Sequence, residues 1–195
     1  MGPAVTQNLA GGATRSSSPR AFLRCRNGAT AVEFALVAAP FLALLVAILQ
    51  SALVFFASRV LDEVTEEAAR NLMTGQAQQG NVTQANFLNN YVCGGSNTSA
   101  LVSALFTCSK IMVNVQNYPD FASANVSSPT LTFNPTNGNV TNTWSYNTGN
   151  PGDVLVIEVI YEWPIVLGPL GMNLSNLSDG NRELVSVAVF KSEPY

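Results

Sequence analysis

Glu33 is the residue that most demands a chemical explanation. It stands at the edge of an apolar run that reaches from Phe34 to Ala57, with Gly28 five residues before it and Phe34 immediately after. An acid at the centre of a membrane helix costs about 2.5 to 3.5 kcal/mol on insertion scales and less near the edge, so such a carboxylate calls for a cationic partner. A glutamate that simply reaches the headgroup region needs none, and position alone leaves both readings open. Two further carboxylates, Glu158 and Glu162, invite comparison with a paired acid and base. They share one strand face with Val156 and Ile160, which reads them as solvated edge charges instead. Nothing else offers catalysis. The chain has no histidine, so Ser-His-Asp and Cys-His arrangements cannot be built. The phosphate-loop, dinucleotide-turn and H-E-x-x-H patterns are missing as well. No enzyme, no cofactor and no metal site is expected.

The apolar run sets the organisation. Broken only by Pro40, Gln50 and Ser51, its 24 residues would span roughly 36 Å as a helix, enough to cross a bilayer with some tilt. A cleavable secretory signal would have an apolar region of about 7 to 15 residues ending in a small-x-small site, and this run is too long and lacks that ending. Arg15, Arg20, Arg24 and Arg26 precede it without any acid, against Arg59 near its far end, which places the N-terminus in the cytoplasm. Four dispersed arginines without interleaved aromatics are a poor nucleic-acid arm. The expected divisions are a basic cytoplasmic leader over 1–28, a transmembrane segment over 29–57, an amphipathic continuation over 58–78 and an exported domain over 79–195. Cys25 then stays on the reducing side, while Cys93 and Cys108 reach an oxidising compartment, where a disulfide between them is expected. Two unpaired buried thiols are the alternative.

Beyond the anchor, Val60, Val64, Ala68 and Leu72 recur at helical spacing, opposite Asp62, Glu63, Glu66, Glu67 and Arg70. Glu66 and Arg70 form a favourably oriented i,i+4 pair, and Gly75 supplies a stop. The segments NVTQANFLNNYV and SNTSALVSALFTCS read as short helices. IMVNVQNY alternates Ile111, Val113 and Val115 against Met112, Asn114 and Gln116, DVLVIEVIYEW is a longer strand ending before Pro164, and ELVSVAVFK sets Val185, Val187 and Val189 on one face. Ser127 to Gly152, rich in Asn, Thr and Ser, reads as a surface loop in which Asn137-Gly138 closes a small hairpin. Six N-x-S/T triplets, Asn81-Val82-Thr83 among them, are expected by chance in so Asn-rich a chain. Helix first and strands later make an α+β fold in which a long N-terminal helix lays its stripe on a small antiparallel sheet.

The letters around the glutamate carry a resemblance. Gly28 followed by ATAVEF, after a basic leader, resembles the processing site of prepilin-like proteins, where a membrane-embedded aspartyl prepilin peptidase cuts after the glycine. With the proline that follows, the pattern looks like the TadE-like family of minor pseudopilins in tight-adherence (Flp) pilus systems. EEAARNLMTGQAQ, SKIMVNVQNYPDF and PGDVLVIEVIYEWPI are similar to that family's helix end and strands, whereas Ser127 to Asn150 matches nothing specific.

The resemblance implies a pilin-like fold and a subunit needed for assembly of a tight-adherence pilus. Its partners would be the membrane, the prepilin peptidase, other pilins and the assembly platform, with no nucleic acid. Its location would be the bacterial inner membrane, the N-terminus cytoplasmic and the C-terminal domain periplasmic, with incorporation in a pilus as a further expectation. The processing site would comprise Gly28, Ala29, Glu33 and Phe34. Cutting after Gly28 exposes an α-amine on Ala29, one helical turn before Glu33, and so supplies the cation that the carboxylate demands. The competing expectation is an uncleaved, inner-membrane-anchored periplasmic binding or adhesion module.

Overall fold

The structure is a computed structural model that describes residues 29–94, 99–165 and 171–194. Two compact units meet in sequence between Ala43 and Leu44. The leader at 1–28, with Cys25 and Gly28, lies outside the described residues. In its described part the first unit consists of the opening turns of helix α1, Ala29–Met73. The second unit contains the rest of α1 and every other element. Short helices α2 (Gln76–Gln79) and α3 (Gln84–Phe87) come next, then a π-helical turn at Leu88–Cys93. Helix α4 (Ser99–Leu105) and a 3-10 turn at Cys108–Lys110 lead into strands β1 (Met112–Tyr118), β2 (Val154–Trp163) and β3 (Arg182–Lys191).

The long helix packed on a small antiparallel sheet is the α+β arrangement that the sequence predicts. The expected stripe, Val60, Val64, Ala68 and Leu72, is buried to the last residue, and Leu61 and Thr65 widen it. Thr65 tolerates this place because its hydroxyl donates to the Leu61 carbonyl at 2.8 Å, so no polar group is left bare. Helix α1 stops where predicted. Gly75 adopts a φ of 75°, a conformation that costs glycine little, and its N–H caps the Leu72 carbonyl at 3.2 Å. The Glu66–Arg70 pair does not form. Instead Arg59 meets Asp62 at 3.6 Å, both exposed, a contact worth at most about 1 kcal/mol.

Strand order is β1-β2-β3, antiparallel throughout, with Val113 opposite Val159 and Tyr161 opposite Leu184. The inner face of β2, carrying Leu155, Ile157 and Val159, packs on the same core as α1. On β3 the residues that join this core are Leu184, Ala188 and Phe190, so Val185, Val187 and Val189 lie on the outer face, where Val187 is exposed. Register decides this: Tyr161 opposite Leu184 fixes which parity turns inward.

The Asn-rich segment is more than a surface loop. Ser145 and Asn147 exchange backbone hydrogen bonds with Val115, so Tyr146 bridges β1 in parallel along its outer edge. Phe133 and Val140 form an antiparallel bridge around Asn137-Gly138, with Gly138 at φ 71°. Asparagine side chains supply the missing ladder bonds: Asn142 accepts from the Thr132 N–H at 2.7 Å and donates to the Thr130 carbonyl at 2.9 Å. Local amide bonds let a segment with little apolar periodicity satisfy its backbone while Leu131 is buried. On the other side of the core, Cys93 and Cys108 form a disulfide, their Cα atoms 6.1 Å apart, tying the π-helical turn to the approach to β1.

Candidate functional site

Glu33 and Phe34 sit in the first turns of α1, both exposed, Phe34 by 74%. Ala29 begins the helix, so its backbone lies one turn, about 6 Å of rise, before that of Glu33. Glu33 makes no ion pair with any described residue. Gly28, the fourth residue of the expected processing site, lies outside the described residues.

Around this site α1 offers lipid-like surface and little else. Leu36, Val37, Phe41 and Leu42, and further along Ile48 and Leu49, are all more than half exposed. So large a contiguous apolar surface marks a membrane or a partner. By length and composition α1 can cross a membrane. Its polar interruptions fit: the Ser51 hydroxyl donates to the Ala47 carbonyl at 3.0 Å and that of Ser58 to Val54 at 3.1 Å, so neither needs water. Pro40 removes one helical donor, which membrane helices tolerate.

The sequence reading carries the membrane segment to Ala57, and within that run Val54 and Ala57 pack in the core of the second unit. Composition cannot distinguish a valine that faces lipid from one that faces a sheet. Phe55 and Phe56, on the other side of the same turn, remain exposed.

Glu158 also departs from expectation. It occupies the central strand, is only 6% exposed, and its Oε2 accepts from Asn114 Nδ2 at 2.8 Å. Burial pushes its pKa above 4.5, against the opposing pull of the Asn114 bond. Asn114 is itself fixed, because its Oδ1 accepts the Ser145 N–H at 2.9 Å. A cavity of about 160 Å³, lined in part by Asn114, Gln116, Ser127 and Glu158, adjoins the carboxylate. Glu162 is held above its ordinary value first by burial and next by Asp179, with Lys110 opposing. Glu183 faces it across the ladder and is raised by burial too. Four residues along an extended strand separate Glu158 from Glu162 by roughly 13 Å, too far for two carboxyls to flank one scissile bond. The strand pairing that turns Glu158 from an edge charge into a central one has no signal in the sequence beyond Asn114, its cross-strand neighbour.

No curated protein and no solved structure matches the chain. From residue 28 to residue 70, beginning at the glycine of the expected cleavage site and ending within the buried stripe of α1, the chain matches the family described as TadE-like protein, the family that its Gly28-to-Phe34 pattern resembles.

Proposed function

We propose that the protein is a minor pseudopilin-like subunit of a tight-adherence pilus system, anchored by α1 in the bacterial inner membrane, with the sheet domain in the periplasm. The observation that carries this reading is the extent of the family match: it starts at Gly28 and runs through Glu33, the exposed apolar turns and the amphipathic turns. The lipid-compatible surface of α1 and the disulfide agree with an anchored domain in an oxidising compartment. The role is structural rather than catalytic.

In this reading a prepilin peptidase cuts after Gly28. The new amine on Ala29 carries a positive charge one turn from Glu33, either within the same chain or toward a neighbour stacked in an assembly. Glu33 acts as a register device: it penalises placements in lipid that leave it unpaired and favours those that pair it. The apolar face of α1 then packs against other pilins or assembly-platform proteins.

The test is a chromosomal Glu33→Gln substitution, with pili counted and the subunit located by fractionation. Gln keeps the shape and removes the charge. The expected outcome is a stable, membrane-inserted chain that does not support assembly. Wild-type assembly by this variant contradicts the register role.

A further inference from the structure

The outer face of the sheet carries an open groove of about 500 Å³ that an assembly role leaves unused. We propose that this groove binds a pyranose ring of an uncharged glycan. The inference concerns the second unit alone and holds whether or not the leader is cut.

Four stretches of chain, far apart in sequence, converge on the groove. Lys110 ends the 3-10 turn at Cys108–Lys110, which the disulfide ties to Cys93. Asn139 and Trp144 come from the Asn-rich segment, and the backbone beside each is pinned. The Asn139 carbonyl accepts the Asn134 N–H at 2.8 Å, while Ser145, next to Trp144, is bonded to Asn114 and Val115. Glu162 stands near the end of β2, and Asp179 and Asn181 lie in the turn that enters β3. Walls held by separate parts of the fold exist before a ligand arrives, so little order has to be imposed on binding.

The side chains select the ligand class. Trp144 is half-buried and lines the groove, a flat apolar surface with one polar edge. The Asp179 carboxylate accepts from the Asn181 N–H at 3.0 Å and from Asn181 Nδ2 at 2.7 Å, which orients both planar groups. Glu162 Oε1 is buried without a hydrogen-bond partner among the described residues, an unmet acceptor that a ligand hydroxyl would satisfy. Lys110 adds a mobile donor, and its charge and that of Asp179 act on Glu162 in opposite senses, so all three are neighbours.

Other ligand classes use this set poorly. An anion finds Lys110 opposed by two carboxylates, and an ammonium group finds those carboxylates already served by Lys110. A lipid chain finds Met112, Val140 and Trp144 interrupted by polar groups. A sugar ring uses everything present: its C–H face lies on the indole, and its hydroxyls donate to the carboxylates and accept from Lys110.

The experiment holds the full chain in lipid nanodiscs, without glycoside detergents. It is titrated calorimetrically with uncharged oligosaccharides of glucose, galactose, mannose and N-acetylglucosamine, and with ethanolamine. Saturable binding of an oligosaccharide is expected, weakened about tenfold by Trp144→Ala and by Lys110→Ala. Lys110 is exposed, so loss at that position does not come from unfolding. Glu162→Gln keeps an acceptor and removes the charge, and is expected to bind within about threefold of wild type. Preference for N-acetylglucosamine oligomers assigns the groove to glycan strands of the cell's own wall, and preference for hexoses to an outside surface; either supports it. Binding of no oligosaccharide overturns the proposal, with ethanolamine binding in their place reassigning the groove to ammonium groups. Oligosaccharide binding that Trp144→Ala and Lys110→Ala leave unchanged overturns it too, since the sugar then sits elsewhere.

Discussion

Asn114 donates to the buried carboxylate of Glu158 at 2.8 Å and, through its own oxygen, accepts the Ser145 N–H at 2.9 Å. One amide thus stitches β1 to β2 and fastens the Asn-rich segment to the sheet. Asn114→Ala removes both bonds and leaves a buried carboxylate without its donor. Hydrogen bonds to charged groups contribute about 1.5–3 kcal/mol, so a loss of this order is expected in chemical denaturation, together with faster proteolysis between residues 130 and 150. A variant as stable and as protease-resistant as the wild type refutes the stitch.

Glu158 also sets a pH dependence. Its folded pKa is raised above 4.5 by burial, so the folded state holds its proton more tightly than the unfolded chain does. The stability gained from this is complete below 4.5 and is lost as pH rises through the elevated folded value. Glu162 and Glu183 act in the same direction. Asp153, lowered by hydrogen bonds from Asn150 and Asn117, acts oppositely: its contribution is present above 3.8 and is lost as pH falls through the depressed folded value. Glu158→Gln keeps an acceptor for Asn114 and removes the charge. It is expected to raise the thermal midpoint at neutral pH by about 2–4 °C, as a gain near 1 kcal/mol gives in a chain of this size, and to flatten the slope above pH 4.5. An unchanged slope contradicts the assignment.

The disulfide closes a short loop, with Cys93 and Cys108 separated by 15 residues. Chain entropy assigns such a closure about 3 kcal/mol, less any strain. Cys93→Ser with Cys108→Ser should lower the unfolding free energy of the detergent-solubilised chain by about that much. Equal stability with and without reductant would show that the bridge constrains little.

The helix stripe carries the fold. Leu72 is completely buried and Leu61 is 1% exposed. Truncation of either to Ala should cost about 2–5 kcal/mol, while Leu49→Ala, on the exposed apolar run, should leave the domain's unfolding unchanged. A similar loss from all three positions would contradict the division between exposed apolar and core-facing turns.

How much of this the sequence reveals depends on the kind of signal. The stripe Val60, Val64, Ala68 and Leu72 is legible because helical periodicity is local, and Gly75 marks its end for a local reason as well. The three strands are legible for the same reason. The inward face of β3 is not, because Val185, Val187 and Val189 look more core-like than Leu184, Ser186, Ala188 and Phe190, and only the pairing with β2 decides between them. Glu158 is misread as an edge charge because strand order is a long-range property. That Val54 and Ala57 join the domain core is not legible either, because both would suit lipid equally well. The order within Ser127 to Gly152 comes from amide hydrogen bonds, which leave no apolar pattern to read.

The central claim is that scission after Gly28 creates the cation that Glu33 requires. Intact mass and N-terminal sequencing of the subunit, purified from cells with an active prepilin peptidase, test it most directly. The account predicts a mature chain beginning at Ala29. A chain still carrying its leader contradicts it and favours an uncleaved, membrane-anchored binding module.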